Sequence, residues 1–138
     1  MMSTTLEQLL ALEKHAGVID PKPENPPDHY LWYEYDAVCR ILREWWWEGH
    51  SWIGSRSYSV PIALAIRIQQ AMDWLTAWCD ESGNDWHMAY YAVSQGGGAF
   101  WAISVTVDWP NTYEIEPEGM SLAEALAKTI EQLKEHKQ

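Results

Sequence analysis

Glu114 and Glu116 stand two apart in "NTYEIEPEG", a spacing that puts both carboxylates on one face of an extended segment. Paired carboxylates perform the acid–base work of glycoside hydrolysis when they flank a sugar-sized cleft. Here the pair borders Pro117 inside an acidic stretch, which points to solvated side chains instead. Asp85 and His87 share a strand face in "DWHMAYYAV", and Glu48 lies two residues before His50. Neither pair reaches the three or four ligands that a zinc site needs. The run "QGGG" at 95–98 joins two strand-like segments, whereas a phosphate-cradling loop opens a helix. Ser55, Ser57 and Ser59 have no nucleophile-elbow context and no evident basic partner. No catalytic residue, metal ligand or cofactor is expected, and the chain is read as a non-enzyme.

Tyr90, Tyr91, Trp101 and Trp109 could stack bases, as rings do in single-strand binders. That use requires cations beside the rings, and they are missing. From Arg67 to Lys128 the chain contains no Lys or Arg at all. The same interval holds Asp73, Asp80, Glu81, Asp85, Asp108, Glu114, Glu116, Glu118 and Glu124. With a net charge of −11 over 138 residues, affinity for nucleic-acid phosphates or anionic lipid is excluded as a general property. An uncompensated acidic surface keeps a protein soluble, and it also attracts a basic protein surface. Glu114, Glu116, Glu118, Asp108 and Asp85 are therefore candidate partner-binding residues, with Trp47 and Trp52 as aromatic anchors. The expected partner is a protein with a basic surface. The alternative is a small-ligand domain, or a minor enzyme, with a pocket lined by Trp and Tyr.

The elements that must position these residues follow from patterning. "STTLEQLLALEKHAG" is a short helix with Ser3 or Thr4 as N-cap and Gly17 as its stop. Four prolines in "VIDPKPENPPD" then forbid a helix interior. The expected organisation is a helical arm over 1–17, a linker over 18–28, and one α+β domain over 29–138. Leu31, Tyr35, Val38, Leu42 and Trp45 repeat at four and three, which predicts a helix from Asp28 to Gly49. The competing reading is a strand at "HYLWYEY" followed by a helix from Asp36. "GHSWIGSRSYS" reads as a loop. Ser59 and Pro61 then open a long helix carrying Ala65, Ile68, Met72, Leu75 and Cys79.

"DWHMAYYAV" and "AFWAISVTVDW" alternate at period two and predict a β-hairpin. Trp101, Ile103, Val105, Val107 and Trp109 share the face that helices must cover, and "NTYEIE" offers a third short strand. In "MSLAEALAKTIEQL", Ser121 and Glu124 form a capping box before a stripe of Leu122, Leu126, Ile130 and Leu133. The fold class is thus α+β: N-terminal helices, a small antiparallel sheet, and a C-terminal helix.

Other features set the compartment. "MMSTTLEQLL" lacks a basic n-region, and "VPIALAI" is too short to span a bilayer. Cys39 and Cys79 each lie in an apolar-periodic segment, where reduced, buried thiols are expected. The cytoplasm is the expected location.

From about Ser59 to His136, the order of helix, Trp-bearing strand, Gly turn, second strand, acidic loop and "EGMSLAEALAKTIEQL" resembles the small phage proteins grouped as the phage ABA-sandwich domain. The likeness covers a little over half the chain. It implies a sheet between helices and a phage or mobile-element origin, and carries over no functional residue. An accessory protein that inhibits a host defence system, anti-CRISPR-like or a nucleic-acid mimic, fits that origin.

"WWW" at 45–47 lies outside the resemblance. Three consecutive helical residues sweep about 200° of surface, more than one buried stripe accepts. On a strand, Trp45 and Trp47 would share a face and Trp46 would oppose them. Either way the triplet demands a second contact: the N-terminal arm, a partner, or a second subunit through Trp45–Trp47.

Overall fold

The computed structural model describes residues 4–92, 99–107, 113–115 and 117–135. Helix α1 (Thr5–Glu13) is closed at its start by a capping box. The Thr4 hydroxyl accepts from the Glu7 N–H, and the Thr4 N–H donates to the Glu7 carboxylate. A single turn, α2 (Ala16–Ile19), follows. Strands β1 (Leu31–Asp36), β2 (Ile41–Trp47) and β3 (Trp52–Ser59) form an antiparallel sheet in the order β1-β2-β3. Helix α3 (Val60–Ser82) leads to β4 (Trp86–Ala92) and β5 (Ala99–Val107). On its other side β5 pairs with β6 (Tyr113–Ile115) and β7 (Glu118–Gly119), before α4 (Leu122–Lys134) ends the fold.

The α+β class, the long helix from Ser59, the hairpin over 86–107, the third short strand and the last helix are as expected. The helix over 28–49 is not: that stretch is the β1–β2 hairpin. A step of four residues suits both a helix face and a strand face, so Leu31 and Tyr35 fit either reading. The steps of three decide the matter. Val38 is 93% exposed in the turn, and Trp45 lies on the opposite sheet face from Tyr35 and Leu42. The turn was hidden because its signal is one side chain. Asp36 accepts from the N–H groups of Val38 and Cys39, and Arg40 adopts φ 54. The competing reading was right about a strand at 31–35 and wrong about a helix from Asp36. The expected loop at 49–59 contains β3, an edge strand exposed along most of its length and therefore without apolar alternation. Cys39 is exposed in the turn, contrary to expectation, while Cys79 is buried.

Two hydrophobic clusters hold these elements. One joins Leu12, Ile19, Ala71, Leu75 and Cys79 to Ile103 and Val105 of β5 and to Leu126, Ile130 and Leu133 of α4. The other joins Leu9, Leu42 and Ala63, with Tyr33, Tyr35 and Tyr58 packed around them. Each fully buried leucine contributes about 1.5–3 kcal/mol. Helix α1, expected as a separately docking arm, supplies Leu12 to the first cluster and Leu9 to the second. Gly119 lets β7 approach α4 closely: a Cβ there would stand 2.6 Å from the Ala125 nitrogen.

Between the clusters lies a cation. Arg67 is 1% exposed, on the buried side of α3. Its Nε donates to Glu13 at 2.7 Å, and one terminal nitrogen donates to Asp20 at 3.1 Å and Gln70 at 2.8 Å. The other terminal nitrogen reaches the second Glu13 oxygen at 3.4 Å and the Tyr33 carbonyl at 3.2 Å. Asp20 in turn accepts from the Tyr33 N–H at 2.9 Å. Both main-chain groups on the free edge of β1 at Tyr33 are thus occupied by the ion pair. Arg67→Met strands the buried Asp20 carboxylate and the partly buried Glu13 carboxylate, so urea unfolding is expected to show a loss of about 3–5 kcal/mol. The triple variant R67M/E13Q/D20N, which removes all the charges, is expected to recover a large part of it. Equal losses in both proteins would show that shape, not charge, dominates there.

Candidate functional site

Strand β4 ends the four-stranded sheet. Its register with β5 is unbroken from Trp86 opposite Val105 to Ala92 opposite Ala99. The Thr106 N–H donates to the Asp85 carbonyl, and the Ile103 N–H to the Pro117 carbonyl. These two bonds set the alternation: Trp86, Met88 and Tyr90 turn their main-chain groups away from β5.

Side chains alternate too. Trp86, Met88 and Tyr90 share the helix-facing side with Trp101, Ile103 and Val105. Asp85, His87 and Tyr91 share the outer side with Phe100, Ala102 and Ser104. The helices do not reach β4 completely, and Met88 stays 41% exposed and Tyr90 57%. Tyr91 is 50% exposed on the other side. Each tyrosine leans on a β5 ring: Tyr90 on Trp101 at 5.0 Å, Tyr91 on Phe100 at 5.1 Å and nearly parallel.

Carboxylates stand at the start of this strand and on the far side of β5. Asp80, Glu81 and Asp85 are exposed just before it, and Glu118 is exposed opposite Ala102. Glu114 pairs with Thr106, directly across β5 from the Asp85 position. Ala102 and Thr106 are about 13 Å apart along the strand. Asp85, Glu114 and Glu118 therefore belong to one sheet, while Asp108 and Glu116, like Trp109 and the glycine run, fall outside the described residues. The first cation after the gap, Lys128, donates to the Glu118 carbonyl at 2.7 Å.

Trp47 and Trp52 are placed elsewhere, in the other sheet. Trp45 and Trp47 share its outer face and Trp46 the inner one, as a strand requires. Trp47 meets Trp52 at 5.3 Å, and Trp52 meets Trp32 at 5.8 Å. The Lys22 ammonium from the Pro-rich segment sits 4.8 Å above Trp32. Trp46 stacks on His29 at 5.3 Å, and the Trp45 ring covers Gly54. The triplet's second contact is supplied largely by its own chain.

Two polar arrangements escaped the sequence reading. Glu44, buried on β2, accepts from both the Tyr33 and the Tyr58 hydroxyls. Burial, then the Glu44 hydrogen bond and charge, push the Tyr33 phenol far above its ordinary range, so it is a donor and not a base. Beside it a cleft of about 320 Å³ is lined by Lys22, Trp32, Tyr33, Glu34, Tyr35 and Arg67, among others. Arg67, with all five N–H groups already committed, is scaffold there. An arginine on the buried stripe of an apolar helix was the available signal for this network. Among the described residues no group of three or more His, Cys, Asp and Glu could hold a metal ion, and no helix is long and apolar enough to cross a membrane. Burial, helped by Asp80 and Asp85, pushes the Cys79 thiol up to about 11.

No family model, curated protein or solved structure matches this chain.

His15 is buried where α1 ends, and among the described residues its Nδ1 has no hydrogen-bond partner. Burial, then the Lys134 ammonium, hold its pKa below the ordinary value, while Glu131 opposes the shift. The unfolded chain therefore takes up this proton first on acidification. The stabilisation is full above about pH 6.5 and declines as pH falls toward the folded-state value. Urea unfolding between about pH 7.5 and 5.5 is expected to show falling stability, with a smaller slope in His15→Gln. Identical slopes would remove His15 as the cause.

Proposed function

We propose that this protein is a non-enzymatic binding factor whose four-stranded sheet engages a basic surface on a host protein. One observation carries the reading: exposed Tyr90 and Tyr91 lie on a strand preceded by exposed Asp80, Glu81 and Asp85, with Glu118 exposed on the same sheet, in a stretch of sixty residues without Lys or Arg. Aromatic rings supply contact area at low conformational cost, and the carboxylates steer an oppositely charged partner onto it. Such a surface substitutes for phosphate in a nucleic-acid-binding groove. That is the sense in which we infer a phage or mobile-element factor acting in the host cytoplasm on a defence complex. Trp47 and Trp52 are secondary in this proposal, because they are half-buried against each other and Trp32. For the same reason we place pairing of two copies through Trp45–Trp47 behind it.

The test is the triple reversal Glu114→Lys, Glu116→Lys and Glu118→Lys. Host proteins retained by the wild type at low salt are expected to fall at least about tenfold in the variant, with thermal stability nearly unchanged. Retention indifferent to both the reversal and added salt would reject the electrostatic mechanism.

The cleft beside Trp32 supports a second reading, a small-ligand site with aromatic walls and Lys22 at hand. A ligand held there raises the melting temperature of the wild type and leaves that of Trp32→Ala unmoved. A metabolite and nucleotide panel that shifts neither protein would retire this reading.

A further inference from the structure

The sheet edges of this fold are not treated alike. On β1, the Asp20 carboxylate and the Arg67 guanidinium occupy the N–H and C=O of Tyr33. On β3, a bulge between the Trp45–Gly54 and Glu44–Arg56 pairs breaks the ladder, and Arg56 stands exposed beside it. The β6 and β7 side is divided into pieces of three and two residues. These are the usual means of blocking strand addition: occupied groups, a bulge with a charge, and short length. Among the described residues strand β4 has none of them. It runs seven residues, "WHMAYYA", without charge, proline or bulge, and Trp86, Met88 and Tyr90 present their main-chain groups outward.

We propose that β4 is a docking edge, to which an extended segment of the partner adds as a fifth strand, with basic and apolar residues alternating along that segment. This rests on the reading that the four-stranded sheet is the binding surface, and specifies how it binds. The alternation follows from the two faces. A strand laid beside β4 has alternate side chains next to Met88, Tyr90 and Trp101 on the helix-facing side, where exposed apolar area favours apolar residues. The intervening side chains lie next to Asp85, His87 and Tyr91, on the face that also carries Glu118 two strands further in. There a Lys or Arg meets the Asp85 carboxylate at one end of the row and the stacked Tyr91–Phe100 rings at the other, which attract cations. A second copy of this chain is the poorer occupant: its β4 carries no cation, and it brings a further −11 of charge to a surface already acidic.

The test uses the full-length protein and three fluorescein-labelled octapeptides: alternating arginine and valine, the same peptide with its two central residues replaced by proline, and the same composition in blocks, RRRRVVVV. Anisotropy is expected to show salt-sensitive binding of the alternating peptide, at least about tenfold tighter than the other two. Amide exchange at Met88 and Tyr90 is expected to slow when it binds, and not at Ala89 or Tyr91, whose N–H groups already face β5. Comparable binding of the block peptide without protection at Met88 and Tyr90 overturns strand addition but leaves the acidic binding surface standing. Absence of binding by all three overturns both. Protection of those amides with rising protein concentration and no peptide, together with a dimer in sedimentation, overturns the basic partner in favour of a second copy.

Discussion

One buried guanidinium organises this fold. Arg67 sits where α1, the segment after it, α3 and β1 converge, and its five N–H groups are distributed over Glu13, Asp20, Gln70 and the Tyr33 carbonyl. A charge in that position is tolerated only because every donor is met by an acceptor, two of them anionic. The requirement runs in both directions. The Pro-rich segment must bring Asp20 back to the sheet, which is why its first residues lie against β1 and do not swing free. Once there, Lys22 reaches Trp32 and Trp52, and the Trp32 indole N–H donates to the Asp20 carbonyl. A segment that looks like a spacer by composition is thereby a structural clamp.

The same constraint divides the charge of the chain. Residues 1–67 hold six Lys and Arg against nine carboxylates, and much of that charge is committed internally: Arg67 in the hub, Lys22 over rings, Arg43 to Asp36. Residues 68–138 hold three Lys against eleven carboxylates. The imbalance is therefore concentrated in the second half of the chain, which runs from the later turns of α3 through the four-stranded sheet to α4. A field that is modest when averaged over the molecule is stronger around that half of the chain.

How much of this was legible depends on how local each signal is. Ser121 before "LAEALA", Pro61 after Ser59, and the period-two runs at 86–107 are local agreements of capping, propensity and pattern, and they placed α3, α4 and the β4–β5 hairpin well. The region 28–59 failed because its signals conflict. A four-residue apolar step is shared by helix and strand, the β1–β2 turn is held by Asp36 without Gly or Pro, and β3 is exposed on both faces. The carboxylate candidates were legible by composition alone, yet only pairing shows that Asp85, Glu114 and Glu118 lie in one sheet and Trp47 and Trp52 in another. The Arg67 hub joins residues 54 and 47 positions apart, and no short-range pattern announces such a contact.

The unguarded edge of β4 and the acidity around it are best understood together. An uncharged, unbulged strand of seven residues would ordinarily recruit its own kind. The carboxylates flanking it and the net negative charge of the whole chain oppose that, because any second copy arrives with the same sign. A basic strand feels the opposite force at the same place. In the proposed binding mode the acidic surface repels a second copy and attracts a cationic segment, with no change in the edge itself. Selectivity of this kind needs no sequence-specific pocket. On the proposed reading it follows from one edge that the described residues leave open in a fold that closes or interrupts the others, and from the absence of Lys and Arg in the strand and its flanks.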